Sequence, residues 1–289
     1  MERIAILGST GYVGSALIHY CSIKGIQHVG LGRSDSVNSE KLAFAIRESG
    51  ADCLINCAGY TGKPNVDACE IYKTECLEGN GVLPGIIRQA CEAAGIPWGH
   101  VSSGCIFTGR RSDGFGFREE DPPNFSFRQN NCSFYSGCKA LGEEILAQAD
   151  QCYIWRLRIP FENTANPRNY LQKVMSYEKL LDAENSLSHL GEFVAGCVDS
   201  FRLKIPYGLY NLTNPGSVTT RDVVDLITQS GICRKGFEFF DDEADFMHKA
   251  AKTPRSNCVL DSSKAISAGL SFRPVQDALR DCLANWKAQ

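Results

Sequence analysis

"ILGSTGYVG", residues 6–14, is the stretch on which the fold turns. Gly8, Gly11 and Gly14 form a GxxGxxG pattern directly behind the apolar run Ile4 to Leu7. They stand ahead of "YVGSALIHYCSIKG", where Val13, Leu17, Ile18 and Cys21 recur at the spacing of a buried helix face. Glycine permits a tight turn there, lets the backbone approach a pyrophosphate, and allows the helix to pack closely on the strand. The helix N-terminus then offers unpaired N–H groups to the phosphates. A dinucleotide cofactor is the expected ligand, lined by Gly8, Thr10, Gly11, Tyr12, Val13 and Gly14. A glycine-rich turn with no ligand is the plainer alternative; the strand before it and the helix after it argue for binding.

Outward from this turn the strand–helix alternation continues. Strands are expected at His28 to Leu31, Cys53 to Cys57, His100 to Ser102 and Tyr153 to Leu157, with helical patterns over Val82 to Ala94 and Lys139 to Ala149. Such alternation implies right-handed crossovers and a parallel sheet covered on both faces. The fold class is therefore α/β, a doubly wound parallel sheet of Rossmann type. Residues 1–160 would form the cofactor-binding domain. Residues 161–289, where the alternation becomes irregular, would be mainly a smaller substrate-binding lobe, with some segments returning to the core. That portion holds isolated elements such as "YGLYNLT" and a final helix near Val275 to Trp286. Between Phe107 and Ser133 runs a polar stretch long enough that it should be either functional or disordered.

Composition narrows the partners. A net charge of −3 and an apolar content of 43% over 289 residues describe an ordinary globular chain, with no electrostatic reason to expect nucleic acid or an anionic membrane. No apolar stretch approaches the length of a membrane span. The fourteen cysteines are scattered, without a CxxC pair, and several lie inside apolar runs where a thiol acts as a small hydrophobe. The first residues enter a strand at once, leaving no room for a signal peptide. A cytoplasmic protein with reduced thiols is expected.

Two further places carry chemistry. At the end of the second strand, "GLGRSDS" sets Arg33 and Ser34 where a carboxylate would meet a free ribose 2′-hydroxyl, and Asp35 comes slightly late. A guanidinium suits a 2′-phosphate, so NADP(H) is favoured over NAD(H), a solvated surface arginine being the other reading. In "FYSGCKALGEE", residues 134–144, Tyr135 and Lys139 share one helix face. A nearby ammonium should favour the phenolate and lower the tyrosine toward working pH. The same lysine can hold the nicotinamide ribose, and "VSSGCIF" supplies Ser102 and Ser103 at a strand end. Chance alone yields many YxxxK motifs; glycine turn, serine and YxxxK together are specific.

With these residues in place, the chain resembles the extended short-chain dehydrogenase/reductases, from the branch containing dTDP-4-dehydrorhamnose reductase. It is more closely similar to the bifunctional 3,5-epimerase/4-reductases that make nucleotide-linked L-rhamnose. The segments "NCAGYTGKPNVDACE", "SSGCIF", "GFREEDPPNFS", "FYSGCK", "NPRNYLQK", "YNLTNPGSVT" and "PRSN" appear in that family's order, nearly end to end. One departure is "YSGCK", where the group tends to have a bulkier polar residue after the serine.

The resemblance implies Ser103, Tyr135 and Lys139 as the reductase triad, with Tyr135 protonating the C4 oxygen of the substrate. It implies Cys105 and Lys173 as the acid/base pair of epimerisation, against the readings of a buried inert thiol and a solvated lysine. It further implies Asn56, Ala58, Gly59 and Asn80 beside the cofactor, and Asn65, Asn169 and Arg255 beside a nucleotide sugar. For Arg255 the partner would be the diphosphate, bound by a bidentate guanidinium. NADPH is the implied cofactor, a homodimer the implied assembly, and no metal is called for. The implied reaction converts a UDP- or dTDP-4-keto-6-deoxyglucose to the L-rhamnosyl nucleotide. A reductase without epimerase activity is the near alternative, and its members commonly carry tyrosine where Cys105 stands. A non-catalytic NADP-binding regulatory subunit is a further alternative, opposed by the intact Tyr135/Lys139 pair.

Overall fold

The computed structural model describes residues 1–287. Six parallel strands form one sheet in the order β2-β1-β3-β4-β5-β9: β1 Arg3–Leu7, β2 Gln27–Leu31, β3 Cys53–Asn56, β4 Trp98–Ser103, β5 Cys152–Leu157 and β9 Gly208–Asn211. Alternation along β1 shows why the sheet is covered twice. Ile4 and Ile6 point into one apolar layer with Leu17, Cys21, Phe193 and Val194, whereas Ala5 and Leu7 point into another with Leu42, Ile46 and Ile87. Helices α1 (Tyr12–Ile23) and α7 (Leu190–Arg202) supply the first layer; α2 (Ser39–Ser49), α4 (Leu83–Ala94) and α5 (Phe134–Leu146) pack along the opposite side.

Strand order reverses between β1 and β3, and the crevice at that switch point is where such sheets take ligands. It opens at the carboxyl ends of β1, β3 and β4, beside the glycine turn. A 3₁₀ turn (Val66–Glu70), the short helix α3 (Lys73–Leu77) and a π-helical turn (Glu78–Val82) lead from β3 into α4. Single π turns are frequent at functional sites, and this one carries Asn80.

The C-terminal region has its own apolar cluster, including Phe161, Leu171, Val223, Ile227, Leu279 and Leu283. It is built from α6 (Tyr170–Ser176), α8 (Thr220–Ser230), α9 (Glu243–Lys249), α10 (Ser263–Ser267) and α11 (Val275–Ala284). Two strand pairs add to it, β6 (Pro160–Phe161) with β8 (Ser188–His189) and β7 (Lys179–Leu180) with β10 (Glu238–Phe239). Here the structure corrects the isolated reading of "YGLYNLT": Gly208–Asn211 is the sixth strand of the main sheet, reached through α7. The helix α2, which the apolar pattern did not announce, has a mostly charged face and only Leu42, Ala43 and Ile46 buried. The final helix stops at Ala284, two residues before Trp286.

The polar stretch 107–133 is ordered as a strap. Gly109 pairs with Cys258 and Phe117 with Leu260 in isolated bridges, and Phe107 stacks on Phe117 at 4.6 Å between ring centres. Residues 257–261 are thereby drawn against the back of the crevice. No helix among the described residues is long and apolar enough to cross a membrane. All fourteen cysteines are free thiols and most are buried, as small hydrophobes in apolar runs should be.

Candidate active site

The glycine turn is built for a close approach. Gly8 has φ +78°, and a side chain on it would meet the Ala58 backbone nitrogen at 2.5 Å; one on Gly14 would meet the Gly8 carbonyl oxygen at 2.2 Å. Gly11 precedes α1, donates its N–H to the Gly8 carbonyl at 3.0 Å, and brings no capping side chain. The first-turn N–H groups, at Tyr12, Val13 and Gly14, are left for an anion, with Thr10 exposed alongside. This cradle fits a dinucleotide pyrophosphate. The side chains of Tyr12 and Val13 point the other way. Val13 packs on the core, and the Tyr12 hydroxyl lies buried toward Glu162 of the C-terminal lobe, so these two can serve a cofactor through backbone only.

Beyond β2, Arg33 and Ser34 are exposed, while the Asp35 carboxylate turns back to accept the Gly32 N–H at 2.7 Å. No carboxylate among the described residues pairs with Arg33. A free guanidinium with its neighbouring carboxylate engaged suits a ribose 2′-phosphate.

Next to the turn, Asn56 is fully buried. Its Oδ1 accepts the Ala58 N–H at 2.9 Å, and its Nδ2 lies 2.9 Å from His100 Nδ1. Burial, with Lys139 nearby, pushes His100 well below its ordinary value, so the neutral ring accepts from Asn56. Asn80 clamps the next loop: its Oδ1 accepts the Tyr60 N–H, and its Nδ2 donates to the Tyr60 and Cys76 carbonyls at 2.7 and 3.0 Å. A methyl group on Gly59 would lie 3.0 Å from Asn80 Oδ1 and 3.5 Å from Lys139 Nζ. Asn56, Ala58, Gly59, Asn80 and Lys139 are thus brought to one edge.

Ser133 caps α5 and so fixes the two residues that follow. Its Oγ accepts the Ser136 N–H at 3.2 Å, and Glu70 Oε1 accepts the Phe134 N–H at 2.8 Å. Lys139 is buried and donates to the Val101 carbonyl at 3.3 Å; burial lowers it below the usual lysine range. Ser103, at the end of β4, accepts the Cys105 N–H at 3.2 Å, and its hydroxyl lies beside the Tyr135 phenol. One expectation fails here. Tyr135 is raised well above its ordinary value rather than lowered, because the phenol is enclosed and the thiols of Cys105, Cys69 and Cys76 add to the effect of burial. The resting phenol is therefore a proton donor.

Cys105 sits in the same group. Its thiol is buried beside the Ser103 and Ser136 hydroxyls and packed with Tyr135, Ala140, Phe107 and Cys258. Burial raises it, partly offset by those hydroxyls and by the charges of Arg158 and Lys139. Lys173, on α6, is lowered by burial and by Arg168, but it makes no hydrogen bond to the Ser103–Tyr135 group. The Arg168 guanidinium donates to the Gly62 carbonyl at 2.9 Å, which ties the start of α6 to the loop after β3.

Two substrate-side expectations change. Asn169 is fully buried with no polar atom to spare: Oδ1 accepts the Leu171 N–H, and Nδ2 donates to the Glu162 and Thr164 carbonyls, both at 2.8 Å. It caps α6 and cannot touch a ligand. Arg255 already holds an anion, the carboxylate of Asp67, at 2.7 and 2.8 Å, and also the Thr253 carbonyl. This pair joins "KPNVDACE" to "TPRSN", and a diphosphate would have to share the guanidinium. Asn65 is engaged through Oδ1 at the 3₁₀ turn, where it accepts the Asp67 N–H. Sequence reading missed Arg158 and the buried Ser102–Glu143–Arg156 group, since their partners lie far away along the chain.

A doubly wound sheet with a glycine cradle at its switch point, and a serine, tyrosine and lysine meeting beside it, defines a nicotinamide-dependent oxidoreductase. The chain belongs to the family described as the RmlD substrate binding domain, which matches residues 1–288. It is 32% identical over 265 residues to an Arabidopsis thaliana bifunctional dTDP-4-dehydrorhamnose 3,5-epimerase/dTDP-4-dehydrorhamnose reductase, covering 90% of this chain and 85% of that protein. It is also 32% identical over 268 residues to a trifunctional UDP-glucose 4,6-dehydratase/UDP-4-keto-6-deoxy-D-glucose 3,5-epimerase/UDP-4-keto-L-rhamnose-reductase of the same plant. That match takes in 91% of this chain and 39% of the longer protein. Among solved structures, the L780 UDP-rhamnose synthase of Acanthamoeba polyphaga mimivirus superposes with a TM-score of 0.88 at 24% identity, over 98% of this chain and 99% of that one. A Bacillus anthracis dTDP-4-dehydrorhamnose reductase in complex with NADP superposes with 0.81 at 16% identity, over 99% and 98%.

Proposed function

We propose that this protein is an NADPH-dependent enzyme that epimerises C3 and C5 of a UDP- or dTDP-4-keto-6-deoxyglucose and then reduces C4, giving the L-rhamnosyl nucleotide. The 4-keto reduction is the activity that its relatives' names share. The observation that supports the epimerase half is the position of Cys105, whose thiol lies beside the Ser103 and Ser136 hydroxyls and packs on Tyr135. A thiol there reaches the carbons that flank the ketone those residues would hold.

The cradle at Gly8–Gly14 would hold the pyrophosphate, Arg33 and Ser34 the 2′-phosphate, and Lys139 the nicotinamide ribose. NADPH, when bound, supplies the hydride that reaches C4. Tyr135, protonated at rest, gives its proton to the C4 oxygen, with Ser103 steering the carbonyl.

Before that step, the flanking C–H bonds are acidified by the ketone, and the enolate oxygen is stabilised by the same hydroxyls. The directions of the two shifts are consistent with one role for each group. Lys173, lowered by burial, supplies the neutral amine that takes a proton. Cys105, raised by burial, supplies the S–H that returns one to the opposite face.

The test is incubation with UDP-4-keto-6-deoxyglucose in heavy water with NADP⁺, which cannot reduce the ketone, followed by mass spectrometry. Deuterium should enter at C3 and C5, and Cys105→Ser should block it. Label entering that variant at the normal rate would remove Cys105 from the epimerisation, and no label entering the wild type would leave a reductase without epimerase activity.

A further inference from the structure

Arg158 follows β5 and is 5% exposed, yet no carboxylate among the described residues pairs with it. One amino group is held by Asn185 Oδ1 and the Ser256 carbonyl, while Nε is buried without a partner. Its Cδ lies 3.3 Å from where a side chain on Gly104 would begin, so the arm passes directly behind the turn that carries Cys105. The surroundings are fixed: Ser256 Oγ donates to the Phe107 carbonyl at 2.6 Å, Cys258 Sγ donates to the Gly104 carbonyl at 3.2 Å, and Asn185 Oδ1 also accepts the Cys258 N–H at 3.0 Å. A buried cation without an anion is expensive, and folds retain one where negative charge will appear.

We infer that Arg158 is a positioning residue for epimerisation, holding a positive charge behind Cys105 for the thiolate that each inversion creates. The inference rests on the proposed epimerase reading and deepens it. In each inversion the Lys173 amine takes the carbon-bound proton, and the C–H electron pair enters the enolate. The Cys105 S–H then protonates the carbon from the other face, and its electron pair stays on sulfur. An ammonium and a thiolate remain until solvent returns them to amine and thiol.

The groups around that sulfur come from every side: Ser103 from β4, Tyr135, Ser136 and Lys139 from α5, Cys132 ahead of α5, Cys69 from the 3₁₀ turn, Cys258 from the segment that pairs with the strap, and Arg158. Only Arg158 and Lys139 among them are cations, and Lys139 is engaged with Val101 and the cofactor edge. Both draw the Cys105 thiol down against its burial, Arg158 the more strongly.

The test separates charge from scaffolding. Arg158→Gln keeps a donor for Asn185 and Ser256 without the charge; Arg158→Lys keeps the charge without the fork; Asn185→Asp leaves the arginine but gives it a carboxylate partner. Deuterium wash-in with NADP⁺ bound is followed from pH 6 to 10. A thiol acting as acid loses activity as pH rises through its pKa, so removing the cation moves the alkaline limb upward. Arg158→Gln and Asn185→Asp should each lose about tenfold or more at neutral pH and shift that limb up by about one unit, with Arg158→Lys within about threefold of wild type. An unshifted limb in both charge-cancelling variants, or Arg158→Lys as impaired as Arg158→Gln, would overturn the inference. Wild type without wash-in would instead sink the epimerase reading itself.

Discussion

Replacing Glu143 by alanine should destabilise the protein strongly. Glu143 and Arg156 have side chains only 7% and 2% exposed, joined at 2.8 Å, with the Arg156 Nε also within 3.2 Å of both carboxylate oxygens. Ser102 Oγ donates to Glu143 at 2.6 Å, and the Arg156 guanidinium lies 4.9 Å from the Phe107 ring centre with Nη1 already unpartnered. Removing the carboxylate therefore strands a buried cation and a buried hydroxyl. Breaking such a pair on one side is worth about 3–5 kcal/mol. Unfolding entropy of about 2.1 cal/mol/K per residue, over 289 residues, gives about 0.6 kcal/mol/K. The expected fall in Tm is then about 5–8 °C by calorimetry. The double variant Glu143→Leu with Arg156→Met, which leaves no charge behind, should recover most of the loss. A single-variant shift under about 2 °C, or a double variant no better than the single, would show that water already reaches the pair and that the argument from desolvation is wrong.

Two further outcomes bear on the chemistry. Tyr135→Phe should cut NADPH oxidation by about 10²–10⁴-fold, the usual worth of a positioned proton donor, while deuterium still enters at C3 and C5; retention of reduction would move the donor elsewhere. Arg33→Ala should weaken NADPH binding by about tenfold or more, measured by fluorescence titration, and leave NADH binding within about threefold, because only the 2′-phosphate meets that guanidinium.

Local patterning carried much of this fold in readable form. The glycine turn, the buried strands β1, β3 and β5, and the YxxxK face are short-range features, each specified within a dozen residues. Helix α2 escaped because its buried side is three residues wide, too narrow to stand out from its charged flank. Strand β9 escaped because four residues of mixed polarity acquire meaning only beside β5. The site divides in the same way. Ser103, Tyr135 and Lys139 lie on adjacent elements and short motifs name them together, whereas Cys105 comes only through the family resemblance. Arg158, held by Asn185 and Ser256, and Arg255, held by Asp67, have partners between 27 and 188 residues away, a separation at which motif spacing is silent. Asn169 misled for the opposite reason: a polar residue in a functional-looking segment was consumed by the helix it starts. Tyr135 misled because enclosure outweighs a lysine one turn along, a balance that spacing does not reveal.

One carboxylate oxygen has a consequence for synthesis on the ribosome. Glu70 Oε1 accepts both the Phe134 N–H and the Thr253 hydroxyl, each at 2.8 Å. The carboxylate that completes the opening turn of α5 is thus itself held by Thr253, which leaves the exit tunnel long after Tyr135 and Lys139 have been translated. A nascent chain halted before that point would carry every proton-handling group named above with Glu70 not yet fixed from its far side.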